Sequence, residues 1–342
     1  MTPRQPPAPA ARQFDALTPQ QVLDALDAVG LRGDGRILQL NSYENRVFQI
    51  YLEDSTAVVA KFYRPARWSE AQIVEEHAFA LELAETEVTV VPPLILRADP
   101  NAEGLALYGA PPTLATWHDH RFAVAARCAG REPELDDPNT LRQLGRFLGR
   151  LHAVGKRRPF AHRHHLNAQA DGQRALALLQ RGGFVPLDQL PSWRDASEAA
   201  LQAVTAAFAA LEPVATVRLH GDCHPGNVLW REGAPNVVDL DDAMQGPAVQ
   251  DLWMLVSGDA SSMALQLDTL LDGYEQFSEF DDRERTLIEP LRTLRMLRHS
   301  AWLAERWSDP TFPIHFPFFG SSAYWSQQTA QLHEQVELMQ AG

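Results

Sequence analysis

The stretch RLHGDCHPGNVLW, residues 218–230, gathers two histidines, a cysteine, an aspartate and an asparagine around a Pro-Gly turn. Three chemistries compete for it. A structural zinc site would use His220, Cys223 and His224, but it needs four ligands at characteristic spacings. The chain has no second Cys-x-x-Cys pair and no His-Glu-x-x-His helix, and its other histidine cluster, HRHH at 162–165, reads as a basic exposed loop without carboxylate companions. A cysteine nucleophile would need a histidine that meets Cys223 in space, which adjacency along a loop does not supply. The third chemistry is phosphoryl transfer. A His-x-Asp-x-x-x-x-Asn loop offers an aspartate to receive the proton of an attacking hydroxyl and an asparagine to hold Mg2+. His220, Asp222 and Asn227 keep that spacing.

Transfer from ATP needs more than this loop. The phosphates carry dense negative charge, so hard oxygen ligands must hold the Mg2+ that offsets it. A second metal-binding aspartate belongs on the next strand, and NVVDLDD offers Asp239, with Asp241 and Asp242 as alternatives. A lysine on an early strand should contact the α/β-phosphates and pair with a helix glutamate. AVVAKFYR supplies Lys61, and the following helix supplies Glu75 and Glu76. Glu76 is the preferred partner, because it falls on the flank of the face formed by Phe79, Ala80 and Leu83. No G-x-G-x-x-G overlies the phosphates. NSYENR stands in its place, with backbone amides and the Ser42 hydroxyl to cap them.

The elements that must position these groups follow from periodicity. LTPQQVLDALDAVG carries a helix start: Thr18 as N-cap, Pro19 at the first position, Gln21 closing a capping box, and Gly30 as the stop. Residues 37–64 alternate like an antiparallel hairpin or meander broken at LEDST. A helix follows from Ser69, then strands near 94–98 and 104–109, then the apolar strand RFAVAARC. From about 138 the pattern is helical, over 139–155, 173–182, 194–211, 262–279, 283–306 and 321–340, interrupted by the strand-flanked loop at 220. The plan is α+β and bilobal: a flexible tail 1–14, a small β-rich N-lobe 15–120, a link at 121–130, and a larger helical C-lobe 131–342.

Composition narrows the partners. Lys+Arg number 30 against Asp+Glu 44, a net charge of −14, which argues against a nucleic-acid binder. Two cysteines exclude a disulfide framework and suit a reducing cytoplasm. No apolar run is long enough to span a bilayer, and MTPRQPPAPAARQF lacks the apolar core of a secretory signal. The expectation is a cytoplasmic protein with no membrane partner, and a monomer by default.

At these residues the sequence resembles a known family. LHGDCHPGNVLW followed by VVDLDDAMQGPAVQDLWML is similar to the aminoglycoside phosphotransferase/choline kinase-like superfamily, which has a bilobal kinase fold and a His-Gly-Asp-x-His-x-x-Asn loop. More narrowly, LNSYENRVFQI, VAKFYRPARWSEAQIVEEHAFALEL, GPAVQDLWML and FSEF resemble the stress response kinase A family of bacterial serine/threonine kinases, from about residue 14 to 340. The resemblance implies Asp222 as catalytic base, Asn227 and Asp239 as Mg2+ ligands, Lys61 on phosphate, Ser42 in the ATP loop, and an adenine hinge beginning at Phe122, Ala123 and Val124. It implies that Asp251 braces the catalytic loop; the residues themselves also allow a helix N-terminal carboxylate. His220 reads as a hydrogen-bonding anchor. The acceptor implied is a Ser/Thr hydroxyl of a protein in a bacterial stress response. The wider superfamily modifies small alcohols such as choline, homoserine or aminoglycosides, and the lack of an A-P-E segment after Asp239 favours a compact acceptor. The aromatic stretch 306–325 would line a peptide groove or pack between C-terminal helices, and the acidic run 132–139 would attract a basic substrate or stand solvated. An ATP-binding pseudokinase scaffold is the third reading. Oxidation of Cys223 beside the base would block the loop.

Overall fold

The computed structural model describes residues 17–341, so the tail 1–14 lies outside the described residues. The described chain divides into two compact units. One takes 17–164, 218–244 and 254–279, and the other 165–217, 245–253 and 280–341. The link 121–130 therefore falls inside the first unit.

In the first unit, helix α1 (Pro19–Ala28) starts as its residues dictate. The Thr18 hydroxyl accepts from the Gln21 N–H, and the Gln21 side chain accepts from the Thr18 N–H at 2.9 Å. Six strands follow in an antiparallel sheet: β1 (Gly33–Leu40), β2 (Arg46–Leu52), β3 (Ala57–Phe62), β4 (Leu105–Tyr108), β5 (Leu114–Trp117) and β6 (His120–Ala126), in the order β1-β2-β3-β6-β5-β4. Alternation along β2, β3 and β6 buries Phe48, Ile50, Ala60, Phe62, Phe122 and Val124 against Val22, Ala25 and Leu26 of α1. Helix α2 (Glu70–Glu85) is capped by Ser69 in a second capping box, with Gln72.

Residues 94–98 do not form the expected strand. Pro92 and Pro93 have no N–H to give a ladder, and the segment is tied instead by single bonds, Leu94 N–H to Val124 O at 2.7 Å and Leu96 N–H to Pro112 O at 2.8 Å. Within this six-stranded sheet the strand missing from the sequence reading is β5, only four residues long.

Helix α3 (Pro138–Gly155) starts on Asp137, whose carboxylate accepts from the Asn139 and Thr140 amides. The acidic run 132–139 thus ends as a helix cap. Later in the chain come the short β7 (Val217–Leu219), the hairpin of β8 (Val228–Arg231) and β9 (Ala234–Val237), and helix α6 (Ala260–Tyr274). Helices α3 and α6 meet backbone to backbone. A Cβ at Gly145 would overlap the Leu270 carbonyl, and one at Gly273 would overlap that of Arg142.

The second unit holds helices α4 (Ala168–Gly182), α5 (Leu190–Leu211), α7 (Ile288–Arg306) and α8 (Ser322–Ala341). Trp193, Phe312, Phe319 and Trp325 are fully buried among them, and the Trp193 indole donates to Gln328 at 2.8 Å. Much of the aromatic stretch 306–325 is therefore core, though Ile314 and Phe318 are exposed.

Candidate active site

The site is built at the end of β3 and around two loops of the first unit. In the first loop, His220 is fully buried and works as an anchor. Its Nε2 donates to Val238 O at 2.9 Å, and its Nδ1 accepts from the Asp222 N–H at 3.3 Å, which together define the tautomer. Gly221 is required beside it: its φ is +86°, and a Cβ there would overlap the Asp242 carbonyl. The Asp222 carbonyl then accepts from the His224 N–H at 3.0 Å and from Asn227 Nδ2 at 2.9 Å. With its amide nitrogen engaged, Asn227 keeps its amide oxygen, a hard ligand, for a cation. His224 accepts from the Gly226 N–H through Nδ1, and its Nε2 lies 3.6 Å from Asp222 Oδ2. The turn thus holds the imidazole against the carboxylate. Cys223, between them, is buried with 1% exposure.

The second loop follows β9. Asp239 adopts a left-handed conformation, φ 64° and ψ 59°, which costs a non-glycine residue about 1–2 kcal/mol. Its carboxylate reaches the Lys61 ammonium, Nζ to Oδ1 2.6 Å. Lys61 sits on β3 opposite Val47 and Ala123. Burial works against its charge, but Asp239 and Asp241 outweigh burial and hold the ammonium well above the usual lysine range.

The two glutamates of α2 separate cleanly. Glu75 accepts from three consecutive amides, Ala161 at 2.6 Å and His162 and Arg163 at 2.7 Å each. Burial alone would raise its carboxyl, and these donors bring it below the usual range. Glu76 turns into the cleft that holds Lys61. It is 7% exposed and pushed up to about 7, chiefly by burial, against the pull of Lys61 and Arg163. The direct partner of Lys61 is Asp239, and Glu76 acts on the lysine through the field rather than by contact. Beside Glu76, His77 bridges Tyr63 and Thr113 at 2.9 Å on each side and is pushed down to about 3, first by burial.

A small open cleft lies between β3, α2 and the loop that carries Asp239. Lys61, Glu76, Ala123, Val124 and Asp239 line it. Phe122 does not. Strand alternation turns it the other way, fully buried and stacked on Phe62 at 5.2 Å, so of the three expected hinge residues it is a core residue. Ser42 accepts from the Asn45 N–H at 3.2 Å, shaping the turn of its own loop.

Asn45, Arg67 and Arg163 were not singled out from sequence; they surround Asp241 and Asp242, which the sequence offered as alternatives to Asp239. Asp241 is buried and accepts from Asn45 Nδ2 at 3.0 Å and from Arg67. Arg67 also reaches Asp242 at 2.7 Å, and Asp242 is raised by burial. Arg163, expected in an exposed loop, is 3% exposed; it donates to the Asp241 and Ala243 carbonyls and stacks on Trp68. Only the lone Arg-Pro-Ala-Arg-Trp after β3 hinted at this, and a cation after a strand is ordinarily solvated. Asp251 is fully buried in a single helical turn, Val249–Leu252, of the second unit.

Among the described residues no group of three or more His, Cys, Asp or Glu side chains is arranged to hold a metal by itself. Asp239 and Asn227 present carboxylate and amide oxygens, a donor set suited to a hard cation shared with phosphates. No described helix is long and apolar enough to cross a membrane.

Residues 36–288 match the model of the phosphotransferase enzyme family. The chain is 42% identical over 331 residues to stress response kinase A of Escherichia coli, covering 97% of this chain and 96% of that protein. It is 42% identical over 326 residues to the serine/threonine protein kinase RdoA of Salmonella typhimurium, covering 95% and 94%. Among solved structures it is similar to an amicoumacin kinase in complex with AMP-PNP and Ca2+, TM-score 0.70 at 18% identity over 95% of both chains. It is also similar to a microcompartment-associated aminopropanol kinase, TM-score 0.66 at 15% identity over 94% and 96%.

Proposed function

Since this chain belongs to the phosphotransferase enzyme family, within the stress response kinase A group, we propose that it transfers the γ-phosphoryl group of ATP to the hydroxyl of serine or threonine in a protein. The observation that carries this reading is the meeting of Lys61 and Asp239, 178 residues apart, in the lining of one cleft. Asp222 is the proposed base. As the acceptor oxygen bonds to the γ-phosphorus and the bond to the β-phosphate oxygen breaks, its carboxylate takes the hydroxyl proton and ADP leaves. Lys61 is proposed to exchange Asp239 for the α/β-phosphates, with Glu76 stabilising the ammonium as it moves. Ser42 and its neighbours cap the phosphates, while Ala123 and Val124 form a wall of the nucleotide cleft. A bound Mg2+ would offset phosphate charge, and Asp239 and Asn227 are its fitting ligands.

A small alcohol is the second reading. It is favoured by the short stretch from Asp239 to Val249, which holds a 3-10 turn and a brief strand rather than a long activation segment. The test is a γ-labelled ATP assay with protein substrates in one arm and choline, homoserine and amino sugars in the other. Asp222→Asn should lower transfer at least ~100-fold while AMP-PNP still binds. Label on protein supports the first reading, label on an alcohol the second. Transfer undiminished in the variant removes Asp222 as base, and binding without any transfer by the wild type leaves a scaffold.

A further inference from the structure

Arg67 takes no part in the chemistry above and does not line the cleft, yet it makes ionic contacts with three carboxylates near it. Its guanidinium bonds Asp241 and Asp242, and its Nε lies 3.5 Å from Glu44 Oε1. Glu44 belongs to the loop that stands where a glycine-rich loop would be, and its neighbour Asn45 donates to the same Asp241 oxygen that Arg67 bonds. Glu44, Asn45, Asp241 and Arg67 thus close a ring joining residues 174 and 196 positions apart. The ring is secluded: Arg67 is 14% exposed, and the Asp241 side chain 5%. Bonds between such groups are stronger than at the surface, and a broken one strands a buried charge.

Further contacts stiffen both sides. Arg64 donates to the Tyr43 and Glu44 carbonyls at 3.1 and 3.0 Å, and its own N–H to Asn45 Oδ1 at 3.2 Å. On the other side, Arg163 donates to the Asp241 carbonyl at 2.5 Å, and both Arg163 and Arg67 lie over the Trp68 ring, at 4.1 and 5.2 Å. The 42–45 loop is therefore not a freely flapping cover. It is fastened to the turn that carries Asp239.

We infer that Arg67 is a positioning residue: it locks the 42–45 loop to the 239–242 turn, so that the phosphate cap and the metal-binding aspartate are presented as one preformed piece. This rests on the ATP-dependent reading. Lysine cannot substitute, because a point charge cannot bond two carboxylates and a third group in the fork geometry that guanidinium supplies.

Two measurements test it on wild type, Arg67→Lys, Asn45→Ala and the double variant. The first is calorimetric titration with AMP-PNP, with and without Mg2+. Arg67→Lys should cut the Mg2+-dependent gain in affinity about tenfold. The double variant should be little worse than the worse single one, because both act through Asp241. The second is amide hydrogen exchange of the free proteins. Exchange should rise together in 42–45 and 239–242 in each single variant while α3 stays protected, which shows that the variants are folded. A rise in only one of the two segments, additive losses, or an undiminished Mg2+ gain overturns the inference. A wild type that shows no Mg2+-dependent gain overturns the nucleotide reading, while the exchange data, which need no ligand, still decide whether the brace exists.

Discussion

Glu76 is a buried carboxylate whose protonation couples the fold to pH. Its value in the fold, about 7, lies above the 4.5 of a free glutamate, with burial the main cause. The native state therefore holds this proton more tightly than the unfolded chain. Its stabilising contribution is full below about pH 4.5 and is lost as pH rises through about 7, a change of up to about 3 kcal/mol at ~1.36 kcal/mol per pH unit. His77 has the opposite sign: pushed down to about 3 from 6.5, it costs stability as pH falls from 6.5 towards 3. Glu76→Gln should raise the urea midpoint at pH 8 and leave it nearly unchanged at pH 4.5. If Glu76 steadies Lys61 during transfer, the same variant should lower kcat. Equal stabilisation at both pH values would show that burial of the charge is not the cause. Asp222, Asn227 and Asp239, the proposed base and metal ligands, stand out in the sequence because they fall in order within one short stretch. Arg67, Arg163 and Asn45 do not, since their meaning comes from Asp241, 174, 78 and 196 positions away, and their types are those of ordinary surface residues.

Helices α3 and α6 touch through glycine, and that contact carries the element-scale prediction. Gly145 admits the Leu270 carbonyl where any Cβ would collide, so Gly145→Ala must push the two helices apart. The expected loss is about 1–3 kcal/mol, seen as a lower urea midpoint with unchanged slope. An unaltered midpoint would mean that the helices separate without cost. The helices themselves were legible, because their apolar period and caps are local: Thr18 with Gln21, and Ser69 with its run of buried residues. Their mutual contact was not, because a glycine in LGRFLGR declares its purpose only when the partner backbone is known. Strand β5 escaped for a related reason, LATW being too short to show alternation. The proline pair before Leu94 broke a strand that composition alone suggested.

At the scale of the whole molecule, the two compact units share the chain by turns, which passes between them after His164, Val217, Met244, Trp253 and Glu279. No single cut separates them. A fragment ending at His164 keeps the sheet and α3 but loses the 220 loop, the 239 turn and α6, leaving the glycine face of α3 bare. Such a fragment should show no cooperative urea transition, and a cooperative one would mean that the sheet and α1 suffice as a folding unit. Sequence revealed the α+β character and the order of the functional groups, while the interleaving arises from contacts between distant segments and has no local signature. One last consequence belongs to the lysine in the cleft. Of the 30 Lys and Arg residues only Lys61 and the exposed Lys156 are lysines. A chain that writes arginine nearly everywhere it wants positive charge keeps a compact ammonium in the cleft, where the proposed reaction has it pass from carboxylate to phosphate. That scarcity gives the protein a built-in beacon. An amine-reactive reagent will tag Lys156 and pass over Lys61 while its neighbouring carboxylates keep it protonated, so tagging at position 61, read by mass spectrometry, reports when those counter-charges have been taken away.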